Sequence, residues 1–212
     1  MIQLSPEKGL IFRITHIDNV PWVLANGLHC RRSEVCDPNY RDIGNPDLIQ
    51  KRHHRVIPIP PGGTLSDYIP FYFTPYSPML LNIKTGHNGM KQTPMPEIVI
   101  LVASLHRLAQ QGVQFVIADR HAYLATAKFV GDLSGLDRLD WKILQDRDFK
   151  RDPNDPGKFE RYQAEALIRD HLPVAALPGI LCYGPQQEAE LQVLVNARNC
   201  PTRVVKRRDC YF

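Results

Sequence analysis

The chain has 212 residues, a length that fits one compact domain elaborated by loops. Hydrophobic residues make up 43% and charged residues 23% of the sequence, and no apolar run approaches the roughly 20 residues needed to cross a bilayer. These values exclude integral membrane proteins, fibrous proteins and wholly disordered chains. We therefore expect a single domain spanning residues 1–212 that has no membrane partner.

The charge balance and the cysteines narrow the class of protein further. The sequence has 26 Lys and Arg residues and 22 acidic residues. The resulting net charge of +4 predicts a local basic patch on an otherwise mixed surface. The N-terminus lacks the layout of a secretory signal. Five cysteines at irregular spacings do not suit a disulfide framework, and Cys30 and Cys36 with His29 make at most half a zinc site. We expect a cytoplasmic protein with free thiols and no metal.

Apolar periodicity, β-branched runs and turn residues define the predicted elements in chain order. A buried strand at 11–15 leads through the polar segment 16–19 into a short helix at 20–25, with Pro21 in its first turn and Gly27 just past its end. The later predicted strands are 68–73, 79–83, 98–102, 115–118, 164–168, 180–183 and 203–206, and the later predicted helices are 105–111, 120–129, 141–145, 174–177 and 185–197. Strands outnumber helices without a regular alternation, so we predict an α+β fold with a mixed sheet.

Two long loops interrupt these elements. The first, at about 37–66, contains the turn sequences Asp37-Pro38-Asn39 and Gly44-Asn45-Pro46 and the proline-rich run 58–63, which block regular ladders. The second, at 146–161, has ten charged residues among sixteen, and we interpret it as a solvated loop. Long loops inside a small domain are usually functional when they are ordered, so we predict a functional role for both.

Two polar segments in the first part of the chain have two interpretations each. The basic pentad 51–55 suits a phosphate, because guanidinium groups bind phosphate oxygens in pairs; a solvated basic face is the alternative. His16 lies where the first strand meets the first helix, a junction that presents polar groups to ligands. Alternatively, Asp18 or Asn19 caps the helix and His16 packs against the sheet.

Three further clusters also remain open at this point. Glu165 lies in a predicted strand, where a carboxylate is uncommon unless it faces a partner or solvent. Asp119-Arg120-His121 follows another strand, and Asp119 also suits a helix N-cap. The aromatic group Phe71, Tyr72, Phe73 and Tyr76 either stacks on a planar ligand ring or belongs to the core.

Several segments, read together and in order, carry a family resemblance. They are Ile14-Thr15-His16-Ile17-Asp18-Asn19, Pro61-Gly62-Gly63-Thr64-Leu65 followed by Asp67-Tyr68-Ile69-Pro70-Phe71-Tyr72-Phe73, Ser77-Pro78-Met79-Leu80, Asp119-Arg120-His121 and Gln163-Ala164-Glu165. In this order they resemble the DarT family of DNA ADP-ribosyltransferases, the toxin half of a bacterial toxin–antitoxin pair. The similarity covers nearly the whole chain.

The resemblance implies a fold, a reaction and partners. The fold is that of ADP-ribosyltransferases, a mainly antiparallel mixed sheet flanked by helices. The reaction cleaves NAD at the nicotinamide glycosidic bond and passes ADP-ribose to a base in single-stranded DNA, with thymine favoured and guanine as the alternative. NAD is a co-substrate, and the implied partners are single-stranded DNA and a macrodomain-type antitoxin that removes the modification.

The resemblance also implies the catalytic residues. A strand-borne glutamate is catalytic in the family, and Glu165 matches its position. The family's essential arginine lies in a basic pair after the first loop. The second member of that pair is a histidine here, so the resemblance assigns the role to Arg52, with Arg55 as the alternative.

The remaining implied site residues bind the two substrates. A histidine after the first strand contacts NAD in the family, and members often carry a second histidine where this chain has Arg13. Phosphates and exposed bases favour cations and flat rings in a DNA groove. The implied NAD contacts are His16, Asn19, Gly44, Arg55, Tyr72 and Ser77, and the implied DNA contacts are Arg120, His121, Tyr123, Lys150, Arg151, Lys158 and Arg161.

Two other functions compete with this one. A nuclease-type toxin would use His16, His53, His54 and His121 as acid and base, and it would cut DNA strands without NAD. A non-enzymatic nucleic-acid-binding module would keep every activity after Glu165→Ala. NAD-dependent modification of an oligonucleotide separates both from the transferase.

Overall fold

The computed structural model describes residues 2–212, apart from the side chain of Asn88. The strands found in this range are β1 Leu10–His16, β2 Leu28–His29, β3 Tyr68–Tyr72, β4 Ile98–Ser104, β5 Phe115–Ala118, β6 Phe129–Val130, β7 Glu165–Arg169, β8 His171–Leu172, β9 Gly179–Cys182 and β10 Arg203–Lys206. The α-helices are α1 Val20–Asn26, α2 Pro46–Arg52, α3 Pro78–Thr85, α4 Leu105–Gln110, α5 Trp141–Asp146, α6 Lys158–Tyr162 and α7 Pro185–Ala197.

A mixed sheet forms the body of the molecule and confirms the predicted α+β class. Its strand order within the described chain is β10-β9-β4-β1-β3-β7-β5-β6, and every pair is antiparallel except β9 with β10. β2 and β8 form a separate antiparallel pair. The strand order brings β3 and β5, which are distant in sequence, to the two sides of β7.

The sheet is built around strands that are apolar on both faces. In β4, Ile98, Val99, Ile100 and Leu101 are fully buried, which agrees with a central strand that is covered on both sides. β4 pairs with β1 over seven residues, from Leu10 with Ser104 to His16 with Ile98. This long pairing fixes the end of β1, and therefore the segment that follows it, relative to the sheet.

The first long loop covers one face of the other half of the sheet. Ile57 and Leu65 from this loop pack in a buried cluster with Tyr68 of β3, Val116 of β5 and Leu167 of β7. Their burial removes apolar surface from water on both partners and so holds the loop in place. The loop is therefore ordered, and it carries α2 across the sheet toward the start of β7.

Gly27 directs the chain from α1 into β2. It ends the helix with φ +82°, and its N–H donates to the carbonyl oxygen of Val23 at 2.8 Å. A Cβ atom here would lie 2.5 Å from the carbonyl oxygen of Leu172, so only glycine fits without rearrangement. The predicted helix end at Gly27 is confirmed.

Two predicted elements are wrong. The strand predicted at 79–83 is helix α3, because Ser77 accepts a hydrogen bond from the N–H of Leu80 and Pro78 occupies the first helical turn. The helix predicted at 120–129 is a series of turns that ends in β6. There the Asp119 carboxylate accepts from the N–H of Lys128 at 3.0 Å and does not cap a helix.

Both predicted loops also contain helices. In the first, Asn45 accepts from the N–H of Leu48, and Pro46 stands at the first helical position, so residues that we interpreted as turn signals start α2. In the second, α6 occupies Lys158–Tyr162. Outside α2 and α6, the prolines and charged residues correctly predicted irregular backbone. Within these two helices, the prediction of a loop was wrong.

Candidate active site

Glu165 stands at the beginning of β7 between two neighbouring strands. Its backbone partners are Tyr72 of β3 and Ala118 of β5, and the residue is only 2% exposed. A buried carboxylate is costly unless it is paired and hydrogen-bonded. Sequence alternation alone left an exposed Glu165 as an alternative, and the structure rules that alternative out.

Three groups surround the Glu165 carboxylate. The N–H of Ala122 donates to Oε1 at 2.9 Å, and Arg52 Nη1 lies 3.0 Å from Oε2. The Nδ1 atom of His121 lies 3.4 Å from Oε1. Two distant parts of the chain, at Arg52 and at 121–122, therefore converge on the Glu165 side chain.

Helix α2 delivers the arginine. Arg52 is the last residue of α2, and its side chain is 13% exposed. Just beyond the helix, Arg55 Nη2 donates to the carbonyl oxygen of Leu124 at 2.8 Å, which ties this segment to the turn that carries His121 and Ala122. Arg55 thus fixes the relative position of two parts of the site, although it does not contact Glu165 in the described structure.

The surroundings set the charges of Glu165 and His121. Burial by itself would raise the pKa of Glu165, but Arg52, His121 and the Ala122 N–H together hold that pKa below its ordinary value. Burial lowers the pKa of His121, although the nearby Glu165 carboxylate acts in the opposite direction. The N–H of Tyr123 donates to His121 Nδ1 at 3.2 Å, so this nitrogen accepts and the neutral ring carries its proton on Nε2. At neutral pH the site holds a carboxylate, a guanidinium and a neutral imidazole.

A cleft opens beside this pair of charged residues. Glu165, Arg52 and Tyr72 line one part of it, and apolar side chains that include Trp22 and Leu28 line another. Part of the wall is the irregular segment 40–45 before α2, of which Arg41 is the one residue outside the lining within the described structure. A cleft with a few polar groups and an apolar remainder is typical of a small-molecule site.

The structure brings only some of the implied NAD contacts to this cleft. Gly44 and Tyr72 line it. Ser77 is buried and caps α3, and Arg55 is engaged with Leu124. Tyr72 Oη donates to the Met79 sulfur at 3.7 Å, and burial raises the pKa of this phenol far above its ordinary range.

His16 and Asn19 are buried beside the cleft, and in the described structure neither lines it. The N–H of Asp18 donates to His16 Nδ1 at 3.1 Å, so His16 Nε2 carries the proton and donates to Glu97 at 3.1 Å. His16 therefore caps the single 3-10 turn that follows β1. The capping role that we considered for Asn19 is wrong, because its side chain bonds to the main chain of Arg41.

The implied DNA contacts fall into two groups. His121 lies against Glu165, and Tyr123 is two residues further along the same turn. Both guanidinium hydrogen bonds of Arg120 go to the neighbouring Asp119, at 3.0 and 3.1 Å. This turn is therefore next to the candidate catalytic carboxylate, and of its three implied DNA contacts Arg120 is held in an ion pair with Asp119.

The four cations of the second long loop differ from one another. Lys150 and Arg151 are exposed, and Arg151 stacks over the Phe159 ring at 4.8 Å. Lys158 Nζ lies 2.8 Å from Asp148, and Arg161 pairs with both Asp140 and Asp155. Internal carboxylates thus already occupy Lys158 and Arg161.

Sequence reasoning missed two features of the site. The Ala122 main-chain donor has no sequence signal, because any residue except proline supplies an N–H. Arg13 lines the cleft, and its Nη1 donates to the carbonyl oxygen of Pro70 at 2.9 Å. A charged residue inside the otherwise apolar run 10–14 of β1 was the available signal.

The described residues 2–212 contain no grouped metal ligands and no membrane-spanning helix. Within this range no three His, Cys, Asp or Glu residues are grouped closely enough to hold a metal ion. The helices of the same range are all too short or too polar to span a bilayer.

The arrangement of Glu165 beside the cleft indicates what kind of reaction the site can support. A carboxylate that stays ionised in a buried position can stabilise a positive charge that develops in the cleft, because few water molecules screen it. The neutral His121 cannot supply that negative charge. The site is therefore suited to a reaction that passes through a cationic transition state.

Comparison with known proteins identifies relatives along the whole chain. The family model described as "DarT: ssDNA thymidine ADP-ribosyltransferase, DarT" matches residues 12–212. A DNA ADP-ribosyl transferase of Escherichia coli O127:H6 is 52% identical over 209 residues, which cover 99% of this chain and 96% of that protein. A DNA ADP-ribosyl transferase of Thermus sp. strain 2.9 is 36% identical over 216 residues and is covered in full.

Solved structures agree with this result. Thermus sp. 2.9 DarT in complex with ADP-ribosylated ssDNA has a TM-score of 0.89 at 32% identity, with 100% of both chains covered. Thermus sp. 2.9 DarT in complex with NAD+ has a TM-score of 0.86 at 32% identity, covering 98% of this chain and 100% of that one. Because the family model and these relatives agree along almost the entire sequence, the chain belongs to the DarT family of single-stranded DNA thymidine ADP-ribosyltransferases.

Proposed function

We propose that this enzyme binds NAD+ in the cleft beside Glu165 and transfers ADP-ribose to a thymine base of single-stranded DNA. The single observation that carries the proposal is the buried Glu165 carboxylate, held by Arg52 and the Ala122 N–H at the edge of the cleft. In a member of a DNA ADP-ribosyltransferase family, a negatively charged side chain at this place can stabilise the positive charge that develops on the ribose.

Glu165 acts on the bond that breaks. As the bond between nicotinamide and ribose C1′ opens, its electron pair leaves with nicotinamide, and the ribose gains oxocarbenium character. The Glu165 carboxylate stabilises this charge, which is absent from bound NAD+ and appears only in the transition state. Its lowered pKa supports the role, because the carboxylate remains ionised at neutral pH.

Arg52 positions the carboxylate and faces the same cleft. Its Nη1 lies 3.0 and 3.3 Å from the two Glu165 oxygens. Its Nη2 is buried and has no hydrogen-bond partner among the described residues. A buried donor without a partner suits a site that a ligand oxygen completes. We assign the essential arginine to Arg52 and not to Arg55, whose guanidinium holds Leu124.

The acceptor base completes the reaction. A thymine ring nitrogen attacks C1′ on the face opposite to nicotinamide, the new C1′–N bond forms, and the proton of that nitrogen is released. A positioned base contributes roughly a hundred- to ten-thousand-fold to such a proton transfer. In this scheme the Glu165 carboxylate, which lines the cleft, receives the proton directly or through water.

Thymine is the acceptor that the relatives support. The family description names thymidine, and Thermus sp. 2.9 DarT was solved with ADP-ribosylated ssDNA. His121 lies against Glu165, and Tyr123 follows two residues later in the same turn, so this turn lies beside the place where a flat base would meet Glu165. Lys150 and Arg151, exposed in the second loop, are the cations that suit DNA phosphates.

A direct assay tests the function. The protein is incubated with labelled NAD+ and short oligonucleotides that contain or lack thymine, and the products are weighed by mass spectrometry. We expect a mass gain of one ADP-ribose on thymine-containing single strands only, and a rate at least about a hundred-fold lower for Glu165→Gln. The matched control Glu188→Gln, on α7, should react like the wild type. The absence of an NAD-dependent product would overturn the proposal, and modification of thymine-free strands would overturn the choice of base.

We propose further that the activity is toxic to the cell and is reversed by a macrodomain-type antitoxin. Membership of the DarT family supports this step. The thymine ring nitrogen that carries a proton in DNA is the one that pairs with adenine, so ADP-ribose on that nitrogen would block base pairing during replication. Induced expression should arrest growth, and Glu165→Gln should abolish the arrest. Co-expression of a macrodomain that hydrolyses ADP-ribosyl-thymine should restore growth, whereas unimpaired growth with active wild-type protein would contradict the proposal.

A further inference from the structure

The wall of the cleft before α2 has no regular secondary structure of its own. Tyr40 and the residues 42–45 line the cleft, and the segment 41–45 belongs to neither a strand nor a helix. None of residues 40–45 is fully buried: Arg41 and Asp42 are exposed, and the others are half-buried, with Ile43 packed against the edge of the core. The place of this segment therefore depends on individual anchoring contacts.

Asn19 supplies such an anchor. Its Nδ2 donates to the carbonyl oxygen of Arg41 at 3.0 Å, and its Oδ1 accepts from the N–H of the same residue at 2.8 Å. The amide thus binds both main-chain groups of the residue between the lining residues Tyr40 and Asp42. Asn19 is only 1% exposed, so water does not compete for these hydrogen bonds.

Thr15 extends the anchor to Tyr40. Asn19 Nδ2 also donates to Thr15 Oγ1 at 2.9 Å, and the same hydroxyl lies 3.4 Å from Tyr40 Oη. Since the hydroxyl accepts from Asn19, its own proton is available for Tyr40. Thr15 belongs to β1, whose seven-residue pairing with β4 makes it a rigid base.

We propose that Asn19 is a positioning residue for NAD+ binding, which clamps the main chain at Arg41 and so holds the cleft wall 40–45 in place. The inference rests on the proposed function in one respect, namely that this cleft binds NAD+. It differs from a direct contact with NAD+, because the amide bonds are all made within the protein and Asn19 lies outside the lining of the described cleft.

The test uses variants that alter single hydrogen bonds. Asn19→Asp keeps the shape and the acceptor for the Arg41 N–H, but it loses both donated hydrogen bonds and places a negative charge beside a carbonyl oxygen. We expect the KM for NAD+ to rise about ten-fold, with kcat and the KM for the oligonucleotide changed less than about three-fold. Asn196→Asp, an exposed change of the same chemistry on α7, should leave all three values at the wild-type level.

Hydrogen exchange gives a second readout that needs no substrate. Peptides covering residues 38–45 should exchange faster in Asn19→Asp than in the wild type, while peptides from β4 should be unchanged. If Asn19→Asp does not fold, Thr15→Val and Thr15→Ser replace it. The first loses the hydroxyl and should show both effects, and the second keeps the hydroxyl and should show neither.

The outcomes separate this inference from the proposed function. An NAD+ KM that rises while exchange at 38–45 stays unchanged would mean direct contact with NAD+ and would overturn the clamp. Unchanged KM and unchanged exchange would overturn it as well. If the wild-type protein does not bind NAD+, the proposed function is wrong. The exchange experiment would still decide whether Asn19 holds the cleft wall 40–45 in place.

Discussion

Glu165 and Arg52 form a buried ion pair in which each charge depends on the other. Their side chains are 3% and 13% exposed, so solvent screens the pair weakly. Removing one partner of such a pair destabilises the fold far more than replacing both with apolar residues, because the other charge remains buried without a partner. The pair therefore links the chemistry of the site to the stability of the fold.

Arg52→Ala tests this link. We expect the free energy of unfolding at pH 7 to fall by about 3–5 kcal/mol, measured by urea denaturation. The folded-state pKa of Glu165 is below the usual 4.5, so the stabilisation is complete above that pH and is lost as the pH falls through the folded-state pKa. The difference between variant and wild type should therefore shrink in acid.

A matched control for this prediction is Arg31→Ala. Arg31 pairs with Asp42 at the surface, where both side chains are more than 40% exposed, and such pairs contribute less than about 1 kcal/mol. A loss in Arg52→Ala no larger than in Arg31→Ala, or a difference that grows in acid, would contradict the account of the buried pair.

Tyr72 is an aromatic wall of the cleft and not an acid or base. Burial keeps its phenol protonated far above neutral pH, and the hydroxyl has only a weak sulfur acceptor. We expect Tyr72→Phe to retain activity within about three-fold and Tyr72→Ala to raise the KM for NAD+ about ten-fold or more. Steady-state kinetics would check this, and a large loss in Tyr72→Phe would show that the hydroxyl itself is needed.

At the scale of elements, helix α3 decides the role of Ser77. The resemblance implied an NAD contact, whereas the structure shows an N-cap that accepts from the N–H of Leu80 at 3.2 Å. Ser77→Ala should lower the free energy of unfolding by about 1 kcal/mol, because the first turn of α3 loses its cap. The KM for NAD+ should stay at the wild-type value. A raised KM with unchanged stability would restore the implied contact.

The second long loop contains two kinds of cations with different expected roles. Lys150→Ala and Arg151→Ala should weaken binding of single-stranded DNA and reduce the slope of log affinity against log salt by about one each. Lys158→Ala should instead loosen the loop, because Lys158 holds Asp148 at 2.8 Å. Fluorescence anisotropy at several salt concentrations measures the slopes, and limited proteolysis measures the loosening.

The control for the loop variants lies at the other end of the sheet. Arg198 follows α7, which packs on β10, whereas β7 and β10 are five strands apart in the sheet order. Arg198→Ala removes the same charge and should leave the salt slope unchanged. If the slope falls in Lys158→Ala but not in Lys150→Ala, then Lys158 binds DNA and Lys150 does not, which would contradict the expected roles.

At the scale of the whole molecule, NAD+ should stabilise the fold because its site joins elements from the entire chain. At a concentration of 100 times Kd a ligand that binds only the folded state adds about 2.7 kcal/mol. For a chain of this length the melting temperature should rise by about 5–10 °C. Differential scanning fluorimetry would measure the shift, Arg198→Ala should match the wild type, and no shift at saturating NAD+ would contradict binding of NAD+ to the folded protein.

The sequence alone determined the family, the α+β class and many elements. Predicted helix 185–197 and predicted strands 115–118 and 203–206 coincide with α7, β5 and β10. These segments have periodicity or β-branched runs whose local preference agrees with their surroundings. The motifs around Glu165 and His16 were likewise sufficient for the family, because their order along the chain is visible without a structure.

Only the tertiary structure decided how the site is assembled. Local apolar character predicted a strand at 79–83, and the cap at Ser77 made it a helix. Arg52, Ala122 and Glu165 converge although 113 residues separate the first from the last, and Asn19 binds Arg41 across 22 residues. Such contacts depend on which strands pair and which loop covers which face, and packing of the whole chain fixes both. Residue type and spacing therefore predict local structure, whereas a side chain's partners are set by the folded whole.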